Sequence, residues 1–110
     1  MNKLFLFLLL LLILNNCSKN KDIDTSIIAK DDIELQMIKS YREGMDAFNK
    51  KNYLESAKKF NEAEIFFPQS EWAPKASLMA AYAYYFDDYN NSAISELENF
   101  FKKYPNDPRT

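Results

Sequence analysis

Few side chains in this sequence can do covalent or metal chemistry. Cys17 is the single thiol, histidine is absent, and Gly44 is the only glycine. Those facts remove Ser-His-Asp and Cys-His nucleophile systems, imidazole or multi-thiolate zinc sites, an intrachain disulfide and a glycine-rich phosphate loop. Two carboxylate pairs are left, Asp31-Asp32 and Asp87-Asp88, and neither has the ligand spacing of a calcium loop. Capping and turn formation suit them better, so no metal and no cofactor is expected. Charge adds a further exclusion: 14 basic and 16 acidic residues give a net −2, with no basic excess to neutralise a nucleic-acid backbone. The composition favours a helical binding or scaffolding module over an enzyme.

Cys17 stands in an informative context. Lys3 is followed by an unbroken apolar run from Leu4 to Leu14, eleven residues. A membrane span needs roughly 20, so this run suits the apolar part of a secretory signal. It ends at Leu14-Asn15-Asn16-Cys17, which resembles the lipobox of bacterial lipoproteins, with Asn16 where a smaller residue is usual. That resemblance implies removal of residues 1–16 and acylation of Cys17 as the new N-terminus. Ser18, rather than Asp, in the next position implies sorting to the outer membrane, with the folded part in the periplasm. Two or more acyl chains hold a protein stably at a bilayer, where one does so only marginally. The other reading is an ordinary signal peptide with Cys17 an incidental thiol. Residues 17–31 are mixed in charge and lack aromatics, the composition of a flexible tether.

Beyond the tether the period is helical. A first helix is expected from Asp31 or Asp32, with Glu34 completing a capping box and Ile38, Tyr41, Met45 and Phe48 on one side. A second spans Tyr53 to about Phe67, with Ala57, Phe60, Ala63 and Phe67 facing inward, and Pro68 breaks it. Ser70 is placed to cap a third, Glu71 to Phe86, whose second half is apolar almost all round and so must be covered on more than one side. The fourth runs from about Tyr89 to Tyr104 and stops before Pro105. Glu62, Glu64, Lys58 and Lys59 read as a solvated helix face, and Trp72 as a packing anchor.

The chain also matches itself. At an offset of 36, Ala47, Tyr53, Ser56, Ala57 and Glu62 meet Ala83, Tyr89, Ser92, Ala93 and Glu98. At 37, Phe67-Pro68 meets Tyr104-Pro105, which places one inserted residue late in the second unit. Small residues (Gly44, Ala47, Ala80, Ala83) let paired helices approach. This is an all-α, tetratricopeptide-like solenoid with two repeats, residues 32–68 and 69–105, followed by a tail at 106–110. The repeats run longer than the usual length of about 34.

The lipobox cysteine, Tyr53 to Ala57, the Phe67-Pro68 hairpin end, Ala81 to Tyr85 and Phe100 to Pro108 together resemble the family of BamD-type outer membrane protein assembly factors, which are tetratricopeptide lipoproteins. The resemblance implies a non-enzymatic scaffold in the assembly and insertion of β-barrel proteins. Its partners would be other subunits of the β-barrel assembly machinery and unfolded outer membrane protein precursors. It also implies five such repeats in roughly twice this length. The groove of such arrays is lined by the first helix of each hairpin, here Tyr41, Met45 and Asn49 with Ser77, Ala81 and Tyr85, positions that equally suit packing between hairpins. Ile94, Leu97, Phe101 and Tyr104 form a partner-facing apolar surface on the last helix, to be covered by a partner, a second copy or a further repeat. Two alternatives stay open: a periplasmic repeat scaffold for cell-wall or division proteins, and a lipid-anchored hydrolase working through carboxylates alone.

Overall fold

The computed structural model describes Lys3 and residues 25–110, with side chains from Ala29 onward in the folded part. Apart from Lys3, the signal segment 1–16 lies outside the described residues, as do Cys17 and most of the tether. Four helices follow one another: α1 (Thr25–Asn49), α2 (Tyr53–Phe66), α3 (Trp72–Phe86) and α4 (Asn90–Lys103). Each packs against the next, α1 on α2, α2 on α3 and α3 on α4. Among the described residues there is no strand, and no helix is long and apolar enough to cross a membrane.

α1 starts earlier than expected, at Thr25 rather than Asp31 or Asp32. No breaker lies between Thr25 and Gly44, so Asp31, Asp32 and Glu34 sit inside the helix on its exposed surface instead of forming a cap. One bond of that segment is an i,i+4 pair, from Gln36 Nε2 to Asp32 Oδ2 at 3.3 Å. α1 closes in a Schellman motif: Lys51 takes a left-handed backbone (φ 61°), while Asn52 N–H reaches Ala47 O and Lys51 N–H reaches Phe48 O, both at 2.9 Å. α3 ends identically, with Asp88 at φ 59° and bonds from Tyr89 N–H to Tyr84 O and Asp88 N–H to Tyr85 O. Asp87-Asp88 is therefore a turn. Ser70 caps α3 as expected, its Oγ accepting from Ala73 N–H at 3.2 Å.

These endings correct the repeat register. Lys51 and Asp88, Tyr53 and Asn90, Phe66 and Lys103 are all 37 apart, so the structural repeat is 37 already at the hairpin turn. The extra residue does not enter late in the second unit. The identities at 36 join residues in non-equivalent places: Tyr53 opens α2, whereas Tyr89 is the residue before α4.

The core lies mainly between α1, α2 and α3. Met37, Ala63 and Ala76 form its centre, with Ile38, Tyr41 and Phe67 packed against them. Gly44 lets α1 and α2 approach: a Cβ built there would lie 2.9 Å from Phe60 Cδ1 and 3.0 Å from Cε1. Ser56 Oγ donates to Gly44 O at 2.7 Å in the same buried spot. At the turn end Phe48 stacks on Tyr82 (ring centroids 5.4 Å apart), and Phe86 meets both Phe48 and Tyr53 edge-on or tilted.

A polar seam joins α2 to α4. Asn61 Nδ2 donates to Glu96 Oε1 at 3.0 Å, and Glu64 Oε1 accepts from Lys103 Nζ at 3.0 Å and from Tyr104 Oη at 2.6 Å. Glu64 is buried, so it leaves the expected solvated face. Lys59 does hold to that face, pairing with Glu62 and with Glu43 of α1.

Candidate functional site

Two apolar grooves open among the described residues, and the residues expected to form one surface do not share either of them. The first, about 540 Å³, opens between α1 and α3 and is lined by Met37, Ile38, Tyr41, Arg42, Met45, Asp46 and Trp72. α1 supplies the first six at helical spacing, and the N-terminal end of α3 brings Trp72 across. Tyr41 is fixed from two sides, edge-on to Phe60 (5.1 Å) and to Trp72 (5.4 Å). Trp72 in turn carries Lys75 Nζ 4.5 Å above its ring, a cation–π contact. The packing expected of Trp72 is present, yet one side of its indole is open to the groove.

Charge at the rim is mixed. Arg42 and Asp46 lie a helical turn apart on α1, and burial raises the Tyr41 phenol, an effect eased by the positive charge of Arg109. Arg109 is itself tied to Asp107, donating from Nη2 to Oδ2 at 2.6 Å and from Nε to Oδ1 at 2.7 Å. The guanidinium holds the Asp107 carboxyl at about 2. A groove with aromatic and thioether walls and charged rims suits an extended apolar segment of polypeptide, with stacking for its aromatic residues. Among the described residues no cluster of three or more His, Cys, Asp or Glu could hold a metal ion.

Of the six expected groove residues, only Tyr41 and Met45 share this groove. Asn49 is exposed at the end of α1 and lines neither groove. Ser77 is fully buried, its Oγ without a hydrogen-bond partner among the described residues. Ala81 and Tyr85 line the second groove instead, between α3 and α4, with Leu78, Tyr82, Asn90, Ala93, Ile94 and Leu97. Each hairpin carries its own groove, and α3 contributes only Trp72 to the first. The true counterparts of Tyr41 and Met45 are Leu78 and Tyr82, one residue further along a helix that turns by about 100° per residue.

The partner-facing set also divides. Ile94 and Leu97 face the second groove and Phe101 is exposed beside Phe100. Tyr104 is engaged internally by Glu64, and burial together with that carboxylate pushes its phenol well up. Reasoning from sequence missed Met37, Trp72 and Arg42 as groove residues. Arg42 and Asp46 were legible as flanks of the Tyr41/Met45 stripe, whereas Trp72 reaches the groove only through the packing of α3 on α1.

Tandem antiparallel helix pairs that repeat at 37 residues define a helical-repeat protein. Comparison with known proteins gives the family. Residues 33–110 match the YfiO outer membrane lipoprotein family, and the chain belongs to it. The outer membrane protein assembly factor BamD of Neisseria meningitidis serogroup A is 32% identical over 108 residues, 98% of this chain and 40% of that protein. Proteins of the same name from Caulobacter vibrioides and Rickettsia prowazekii are 34% identical over 68 residues and 29% over 94. The chain thus spans about 40% of the length of the Neisseria relatives it matches. No solved structure matches it.

Proposed function

We propose that this chain is the N-terminal repeat region of a lipid-anchored, non-enzymatic scaffold that assists assembly and insertion of β-barrel proteins in the outer membrane. Its family membership carries this reading, because relatives matching almost the whole chain are named for outer membrane protein assembly. Acyl chains on Cys17 hold the domain at the periplasmic face of the membrane, and the other assembly subunits dock on its outer surfaces. The α1–α3 groove takes an apolar segment of an unfolded barrel precursor, with aromatic side chains of the client stacking on Tyr41 and Trp72.

Trp72 is the only tryptophan of the chain and borders that groove, so its emission reports occupancy. Titration with a synthetic strand peptide bearing alternating aromatic residues should shift Trp72 emission to the blue. Met45→Glu, on the groove wall, should weaken the response at least about tenfold. An unchanged spectrum, or equal binding by Met45→Glu, overturns the client-binding assignment. The anchor has its own test: a palmitate analogue should label the wild type and leave Cys17→Ser unlabelled. Labelling of neither protein, or of both, overturns it.

A further inference from the structure

The seam between the two hairpins contains a buried polar atom that its neighbours leave unserved. Asn61 donates from Nδ2 to Glu96 Oε1 at 3.0 Å, while its Oδ1 is closed off from solvent without a hydrogen-bond partner among the described residues. An acceptor stranded in this way has lost its water and gained nothing in return. Lys103 Nζ and Tyr104 Oη, the donors at the other end of the seam, are both directed at Glu64 Oε1, at 3.0 and 2.6 Å. Glu96 in its carboxylate form can only accept.

A carboxylic acid serves both ends of the amide at once. With a proton on Oε2, Glu96 still accepts from Asn61 Nδ2 at Oε1 and now donates from Oε2 to Asn61 Oδ1, which closes the ring of a paired acid and amide. We propose that Asn61 and Glu96 form a proton-operated latch between α2 and α4, closed by two hydrogen bonds when Glu96 is protonated and held by one when it is ionised. The proton comes from solvent and returns to it, and no covalent bond other than that O–H is made or broken.

The surroundings favour the closed form. Burial raises the Glu96 carboxyl, and the Glu64 carboxylate on α2 adds to this, against the Asn61 Nδ2–H bond and the positive charge of Lys103 on α4. On α3, Tyr84 keeps its proton, its phenol pushed up by burial and by the charge of Glu96. The position 37 residues earlier is Lys59, which pairs with Glu43 of α1 and with Glu62. That ammonium holds the Glu43 carboxyl below the ordinary value of 4.5. On acidification the two junctions therefore respond in opposite senses. The α2–α4 seam gains its second bond as pH falls through the raised value of Glu96, whereas the Lys59–Glu43 pair is lost only below 4.5.

Carboxyl-carbon NMR of Glu96 and nitrogen NMR of the Asn61 side-chain amide, followed from about pH 3 to 8, test the latch. The Asn61 amide resonances should move with the midpoint of Glu96. In Glu96→Gln they should stay near their acid-limit positions throughout, since the glutamine amide supplies the donor at every pH. Asn61→Leu keeps the volume and removes both bonds. The Nδ2–H bond is available in either protonation state and the return bond only in the acid, so this substitution should lower the proton affinity of Glu96 at least about threefold. An Asn61 amide that ignores the Glu96 titration in the wild-type chain overturns the proposal, and so does one that still titrates in Glu96→Gln. A Glu96 proton affinity unchanged or raised in Asn61→Leu overturns it as well. None of these outcomes depends on client binding or on the lipid anchor.

Discussion

In the first hairpin Phe60 is fully buried over Gly44, and α3 covers the pair from outside. At the matching place in the second, Leu97 is 38% exposed beside Ala81, with no helix over it among the described residues. One backbone plan therefore serves two tasks. Where the ring is large the opposing residue must lack a side chain, and the ring is closed from solvent. Where the ring is replaced by leucine an alanine fits, and the apolar surface is left open. The difference teaches that closure of a repeat comes from its successor more than from its own helix pair.

The largest effect expected from this contrast is Phe60→Ala, which should cost about 3–5 kcal/mol, against less than about 1 kcal/mol for Leu97→Ala. Urea unfolding of the two variants measures the difference, and similar losses would place the two hairpins on an equal footing. Gly44→Ala comes next. Its methyl meets the Phe60 ring at 2.9 Å, and the overpacking should cost about 1–3 kcal/mol. The ring is hemmed in by Tyr41, so it cannot swing aside freely. Enlarging Ala81→Val in the open hairpin should cost less by the same measurement.

The smallest effect concerns the α2–α4 seam. Burial raises the Glu96 carboxyl, the nearby Glu64 carboxylate adds to this, and the bond from Asn61 opposes it. The folded chain then binds a proton more tightly than the unfolded chain. Stability is full below the ordinary value of 4.5 and falls as pH rises through the raised folded value. Glu96→Gln keeps an acceptor for Asn61 and removes the buried charge. It should raise the melting temperature at pH 7 by about 1–3 °C and flatten the slope of stability against pH above 4.5. A steeper slope in Glu96→Gln would show that the seam is stabilised by that charge.

Much of this architecture was legible along the chain. Helix limits from Tyr53 to Lys103 fall within about one or two residues of those read from periodicity and prolines, because breakers, caps and apolar spacing act within a few residues of one another. Ser70 announced the start of α3, and it does cap that helix. Gly44 was legible as a place of close approach, and the Phe60 ring supplies the reason. The start of α1 was not legible, since nothing local compels a helix to begin at Asp31 when the preceding residues can also be helical.

Local sequence, then, specified four helices, their order and the duplicated hairpin, all properties set by neighbours a few positions apart. Tertiary packing settled which side of each helix faces what. A shift from 36 to 37 residues turns a helix by about 100°, so that Leu78 and Tyr82, rather than Ser77 and Ala81, match Tyr41 and Met45, and Ser77 is buried. Glu64 was likewise drawn into the interior by Lys103 and Tyr104, some forty positions away. Such partners are brought together only when α4 packs beside α2, and no spacing rule within a single helix encodes them.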